Sequence, residues 1–151
     1  MQTEELIRQY LSQVNIMQMA TSVDNQPWAC TVHYYSDDDF NLYWVSTLAR
    51  KHSQDIDKNP KVAAAVMVHE NTPDEPYVIG ISIEGSAELI GSRVTDEVAQ
   101  GYARKHGKDS DMPAIAQGKH PHKFYRLKPS RIVLFDSKSF PEDPRKEWQV
   151  G

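Results

Sequence analysis

Three basic residues stand side by side in the segment LYWVSTLARKHSQDI, namely Arg50, Lys51 and His52. The letters before them read as a strand that ends in two hydroxyl residues, Ser46 and Thr47, and the letters after them read as a polar helix. An arginine can hold a phosphate through two hydrogen bonds, and the first backbone N–H groups of a helix attract anions. Without an anion, cations placed there oppose the helix macrodipole. The segment therefore predicts an anion-binding corner or, if nothing binds, a solvated loop.

The composition limits the functions that this chain can have. Its 151 residues suit a single domain, residues 1–151, and carry a formal net charge of −4. That charge argues against general binding to nucleic acids or anionic membranes, but it is compatible with a local basic pocket. Cys30 is the only cysteine, so no internal disulfide can form, and no apolar run is as long as a membrane span. Because the N-terminus is amphipathic and acidic, unlike a secretion signal, we expect a cytoplasmic protein.

The pattern of apolar and polar residues predicts a helix followed by a strand meander in the first third of the chain. The helix covers residues 3–14, with an apolar stripe and acidic residues in its first turn. Turn-forming residues then separate three strands, at 16–22, 28–35 and 41–46. Such short connections join antiparallel neighbours.

The rest of the chain continues this architecture. The patterns predict two helices, at 49–58 and 94–107, and strands at 61–68, 77–90 and 122–137. The segment between residues 107 and 122 and the tail after residue 137 have no regular period, so we predict irregular structure for both. Six or seven antiparallel strands with two or three helices predict a mainly β fold of the α+β type, a barrel with helices on its outside.

The order of these elements, together with several short motifs, resembles a known family. The turn QPW leads into the second strand, the strand LYWVST runs into ARKHSQDI, and NPKVAAAV and IEGSAELI follow. This series resembles the pyridoxamine 5'-phosphate oxidase-like family of FMN-binding split barrels, from Leu6 to about Asp136. The resemblance implies an antiparallel split β-barrel with a few flanking helices, and a homodimer with two flavins at its interface.

The resemblance also implies where the phosphate of FMN is held. In that family the end of a strand and an Arg-Lys pair hold the phosphate. This role falls here on Ser46, Thr47, Arg50 and Lys51, with His52 as a neighbour.

The flavin ring is expected to lie along the barrel wall. By the same resemblance, the backbone of Cys30, Thr31 and Val32 would contact the ring edge. The long strand near Gly80 would approach the flavin, often from the partner subunit. Trp148 stands alone in a polar tail and would either cover the flavin across a dimer interface or pack on the barrel.

Two departures from the family pattern bear on the substrate. The vitamin-synthesising oxidase has an arginine where Cys30 falls and a lysine where Tyr35 falls. We therefore expect an FMN-dependent oxidoreductase that acts on an unidentified small molecule and not on pyridoxamine 5'-phosphate. The sequence offers no convincing general acid or base, which favours direct hydride transfer. Two alternatives stay open: a non-catalytic flavin or haem carrier on the same barrel, and a deazaflavin-dependent relative.

Other residues with chemical potential have simpler structural interpretations. Trp28 and Trp44 lie on predicted strands, so we predict that both belong to the core. His33 could face the flavin, but packing is the favoured interpretation. His120 and His122 have no cysteine or acidic cluster at ligand spacing, so we predict no metal site.

Overall fold

The structure, a computed structural model, describes residues 2–151. Eight strands form one curled antiparallel sheet: β1 (Ile16–Val23), β2 (Gln26–His33), β3 (Tyr35–Ser36), β4 (Leu42–Thr47), β5 (Lys61–His69), β6 (Ile79–Leu89), β7 (His122–Asp136) and β8 (Arg145–Gln149). The helices are α1 (Thr3–Gln13), α2 (Lys51–Lys58), α3 (Asp96–His106) and α4 (Met112–Ala116), with a 3₁₀ turn at Gly91–Arg93. The predicted fold class, mainly β with an antiparallel split barrel and flanking helices, is confirmed.

The strand order explains why the barrel is split. The order is β2-β1-β5-β6-β7-β4-β3, and β8 pairs with β7 beside this path. The long strand β7 pairs with β4 through its first half and with β8 through its second half. Within the described residues, β2 pairs only with β1, so one backbone edge of β2 stays open at the end of the sheet. Unpaired backbone groups at such an edge are available to a ligand.

The main core lies inside the curl of the sheet. Side chains alternate along β5, so that Val62, Ala64 and Val66 point inward while their neighbours face outward. Helix α1 covers one opening of the barrel with its apolar stripe, in which Ile7 is fully buried. Trp44 is also fully buried, as predicted, and its ring stacks on Tyr125 with centroids 5.7 Å apart.

A second, smaller core joins α3 and α4 to the sheet. Tyr102 of α3 meets the ring of Phe124 edge-on, with centroids 5.6 Å apart, and Met112 of α4 belongs to the same cluster. Thr95 caps α3 by accepting a hydrogen bond from the Val98 N–H, and Gly107 ends the helix in the left-handed conformation. This packing brings the end of α3 close to β2 and β4.

Three predicted elements differ from the structure. Helix α2 begins at Lys51 and not at Ala49, because the Arg50 N–H donates to the Thr47 carbonyl in a turn that leaves Arg50 at the N-cap. The tail forms strand β8 where irregular structure was predicted, because it adds to the free edge of β7. The segment between α3 and β7 contains the short helix α4.

The prediction for Trp28 was wrong. Its side chain is 43% exposed, because Trp28 lies on the edge strand β2, which has no further strand beside it to cover the ring. The part of the chain that the structure describes contains no helix with the length and apolar character to cross a membrane.

Candidate functional site

A cleft of about 560 Å³ lies between the open edge of β2, the end of β4 and the start of α2. Its volume falls within the range of small-molecule sites. The cleft brings together seven of the ten residues implicated by the sequence, namely Cys30, Thr31, Val32, Ser46, Arg50, Lys51 and His52. Residues that are up to 22 positions apart in the chain therefore form one concave surface at the split of the barrel.

The lining of this cleft is strongly basic. Three lysine or arginine side chains contribute to it, Arg50, Lys51 and Lys108, together with three histidines, His33, His52 and His122. Among the described residues that line it, none is aspartate or glutamate, although the chain has 21 acidic residues against 17 lysines and arginines. This concentration of positive charge in an acidic protein favours an anionic ligand.

The start of α2 supplies two exposed cations, Arg50 and Lys51. Arg50 occupies the N-cap position with extended backbone angles, and its exposed guanidinium makes no hydrogen bond or ion pair with residues 2–151. The first backbone N–H groups of a helix have no acceptor within the helix, and those of α2 belong to residues that line the cleft, beginning at Lys51. An anion here would meet both a bidentate donor and the positive end of the helix dipole.

Lys51 is held in place by a buried carboxylate. Its Nζ lies 3.2 and 3.3 Å from the two carboxylate oxygens of Asp55, one helical turn away. Thr21 of β1 donates to the same carboxylate at 2.8 Å. Burial alone would raise the pKa of Asp55, but the hydrogen bonds from Thr21 and Lys51 outweigh it, so the pKa is lowered. Asp55 is therefore ionised at neutral pH and orients Lys51.

His52 and Ser46 form a buried pair at the floor of the cleft. The His52 Nε2 lies 2.9 Å from the Ser46 Oγ. Burial and the nearby Arg50 charge lower the pKa of His52, so the ring is neutral at neutral pH. The pair joins α2 to the end of β4 and supports the Arg50–Lys51 corner from beneath.

The residues of β2 form the wall of the cleft. Thr31 donates to the Gln18 Oε1 of the neighbouring strand at 2.7 Å, which fixes its side chain. The Cys30 thiol is half-buried, and burial, with a smaller effect from the Asp55 charge, raises its pKa. Cys30 is therefore a neutral thiol at pH 7, and the wall offers apolar side chains together with an open backbone edge.

Three residues implicated by the sequence lie outside the cleft. Thr47 pairs with His122 in the sheet, and its carbonyl accepts the Arg50 N–H. Gly80 lies on β6, opposite Met67 and Phe135. Trp148 lies on β8, where it is half-buried against the main core.

Several cleft residues have no local signal in the sequence. Tyr102, Lys108 and His122 reach the cleft only because α3 and β7 pack beside β4. His33 also lines it, and its ring lies 5.0 Å from the ring of His106, whose Nε2–H donates to the Tyr34 carbonyl at 2.7 Å. From the sequence, His33 could face the flavin or pack, with packing favoured; its exposed side chain both contacts His106 and lines the cleft.

Three solved structures share this fold at low sequence identity. A conserved hypothetical protein from Mycobacterium tuberculosis is 18% identical, with a TM-score of 0.74 over 100% of this chain and 93% of that chain. A haem-binding protein from Mycobacterium smegmatis is 16% identical, with a TM-score of 0.73 over 99% of this chain and 59% of that chain. An FAD-binding protein from Mesorhizobium loti is 18% identical, with a TM-score of 0.61 over 98% of this chain and 96% of that chain.

The sequence has no match among curated proteins. In contrast, the family model of pyridoxamine 5'-phosphate oxidase matches residues 3–135, which include the whole cleft. This chain therefore belongs to the pyridoxamine 5'-phosphate oxidase family.

Proposed function

We propose that this protein binds FMN in the cleft at the split of the barrel and acts as an FMN-dependent oxidoreductase. The observation that carries the proposal is the position of Arg50 and Lys51, at the start of α2 and beside the open edge of β2, in one cleft without a carboxylate among its described lining residues. Arg50, Lys51 and the first N–H groups of α2 would hold the phosphate. The backbone from Cys30 to Val32 would contact the ring.

The residues present fit this cofactor. The cleft combines a cationic corner for a phosphate with a wall of apolar side chains and free backbone groups, which suits a planar heterocycle with polar edges. The flavin supplies the redox chemistry when bound, while the protein binds it and determines the polarity around it. Cys30 replaces an arginine of the vitamin-synthesising oxidase, so we do not propose pyridoxamine 5'-phosphate as the substrate.

Titration of the purified protein with FMN, followed by flavin absorbance and fluorescence, tests the proposal. Arg50→Ala is the cleaner variant, since Arg50 has no partner among residues 2–151 whose loss would affect the fold. One charged hydrogen bond is worth about 1.5–3 kcal/mol, so we expect the Kd to rise by about tenfold or more. Lys58→Ala, at the other end of α2, is the matched control and should leave the Kd unchanged. An unaltered Kd in Arg50→Ala, or no binding by wild type, would contradict the proposal.

Haem binding is a second candidate, because two of the three histidines that line the same cleft are exposed. His33 and His122 are exposed there, and their imidazoles could serve as axial ligands for a haem iron. The structural neighbour from Mycobacterium smegmatis, which is 16% identical, is a haem-binding protein. Titration of wild type with haem should produce an intense Soret band. If the side chain of His33 or His122 ligates the iron, the corresponding alanine variant should shift this band. A Soret band unchanged by both variants would argue against this candidate.

We also propose that the protein is a homodimer with the cofactor at the interface. Gly80 lies outside the cleft of its own chain, on the outer surface of the sheet. A residue in that position could approach a flavin only in the cleft of a partner subunit.

A further inference from the structure

Trp28 lies at the end of the cleft where the phosphate of the proposed cofactor would bind. The indole is 43% exposed, and Lys51 Nζ lies 5.4 Å from the centroid of its ring. Trp28 pairs with Thr21 across β1 and β2, and Thr21 donates to the Asp55 that orients Lys51. The tryptophan is thus fixed beside the cationic corner by the strand and by the lysine.

An exposed tryptophan on the wall of a ligand cleft needs a reason. Large aromatic side chains are usually buried, and a ring left open beside a nucleotide site can stack with a base. The expectation that Trp28 belongs to the core failed because its side chain faces the cleft instead. Its position therefore points to a planar group of the ligand.

The order of residues along β2 shows which part of the ligand this would be. Strand residues advance by about 3.3 Å each, so Trp28 stands roughly 7 to 13 Å from the Cys30–Val32 segment proposed to contact the flavin ring. Lys51, which is proposed to hold the phosphate, lies against Trp28 and not at the His33 end of the strand. The phosphate would therefore lie between the flavin ring and any group that stacks on Trp28.

We infer that the cleft accepts a flavin dinucleotide, with the adenine stacked on Trp28 and the pyrophosphate at Arg50 and Lys51. This inference rests on the proposed function, because it uses the same cationic corner and the same ring wall. FMN fills the flavin and phosphate positions but leaves Trp28 uncovered. FAD adds a second phosphate and an adenosine, which would extend from Arg50 and Lys51 to Trp28.

Equilibrium titrations of the full chain with FAD and with FMN test this inference. Stacking of a base on an aromatic side chain typically contributes enough to change the affinity by about tenfold. We expect wild type to bind FAD about tenfold more tightly than FMN. Trp28→Ala should bring the ratio of the two Kd values to about one, because FAD then loses the stacked adenine. Trp28→Phe retains an aromatic ring and should keep most of the preference.

The outcomes separate this inference from the proposed function. Equal affinities of wild type for FAD and FMN would overturn the inference and leave the FMN site in place. An equal loss of both affinities in Trp28→Ala would also overturn it, because Trp28 would then support the flavin half or Lys51. Failure of both flavins to bind wild type would refute the proposed function as well. Thermal unfolding of the two variants checks that the fold is intact, which the exposure of Trp28 leads us to expect.

Discussion

Asp55 connects the cations of the proposed phosphate site to the interior of the barrel. Its carboxylate is almost fully buried and accepts hydrogen bonds from Thr21 on one side and Lys51 on the other. These bonds lower the pKa of Asp55 even though burial opposes them. One buried residue therefore joins Thr21 of the barrel wall to Lys51, which is proposed to hold the phosphate.

We predict that Asp55→Asn lowers the free energy of unfolding by about 1–3 kcal/mol at pH 7, the usual cost of weakening a buried, charged hydrogen-bond network. A carboxylate whose pKa is lowered in the folded state stabilises the protein above its unfolded pKa of about 3.9. That stabilisation is lost as the pH falls through the lower folded value. The difference between wild type and Asp55→Asn should thus be constant from pH 7 to about pH 5 and shrink below pH 4, as measured by urea unfolding.

The control for this prediction is Asp57→Asn, on the same helix but exposed. It should change the free energy of unfolding by less than about 0.5 kcal/mol at any of these pH values. If Asp55→Asn differed from wild type by the same amount at pH 3 and at pH 7, the carboxylate would not be the source of the stability.

At the level of the elements, the sequence predicted most of the strands and helices but not how their ends meet. The local spacing of residues was enough to predict α1, the strand meander and the cationic start of α2, because each of them depends on residues that are close together in the chain. Strand β8 was missed because its alternation is short, and it is stabilised by pairing with β7 and not by its own pattern. Tyr102 and Lys108 could not be assigned to the cleft, since only the packing of α3 on the sheet brings them there.

Two glycines of β6, Gly80 and Gly85, differ in how closely the neighbouring strand approaches them. The pairing of β6 with β7 shifts register between Glu84 and Gly85. A Cβ atom added at Gly85 would lie 2.9 Å from the Cα of Pro129, which is closer than a Cβ normally comes to a backbone atom. The same atom at Gly80 would meet only the Val66 carbonyl, at an ordinary 3.8 Å.

Gly85→Ala should therefore lower the free energy of unfolding by about 1–3 kcal/mol, because β6 and β7 would have to separate at the bulge. Gly80→Ala, on the same strand, is the matched control and should be neutral or slightly stabilising, since alanine reduces the entropy of the unfolded chain. Chemical denaturation of the two variants measures both values. Equal effects would show that the close approach at Gly85 is relieved by small shifts of the backbone.

At the scale of the whole molecule, the outer face of the sheet has unusually small side chains. Ala20, Ala63 and Ala65 lie on it around a shallow cavity of about 560 Å³, and Met67 and Phe135 are exposed nearby, at 61% and 42%. An antiparallel sheet can leave one face in water, but contiguous apolar surface on a folded protein commonly marks an interface. This face suits a second copy of the chain, as the proposed homodimer requires.

We predict that Ala65→Glu converts the proposed dimer into a monomer, because it places a charge in the middle of this face, where Ala65 pairs with Ser82 and Gln18 in the sheet. Sedimentation or light scattering should report about twice the chain mass of 17.2 kDa for wild type and one chain mass for the variant. Ala65 is exposed in the single chain, so thermal unfolding of the variant should remain cooperative. Gln100→Glu, which adds the same charge on α3, should leave the mass unchanged.

If the cofactor lies at the interface, Ala65→Glu should also weaken FMN binding although it touches no residue of the cleft. A wild-type monomer would rule out the dimer, while a monomeric variant with unaltered FMN affinity would place the whole site within one chain.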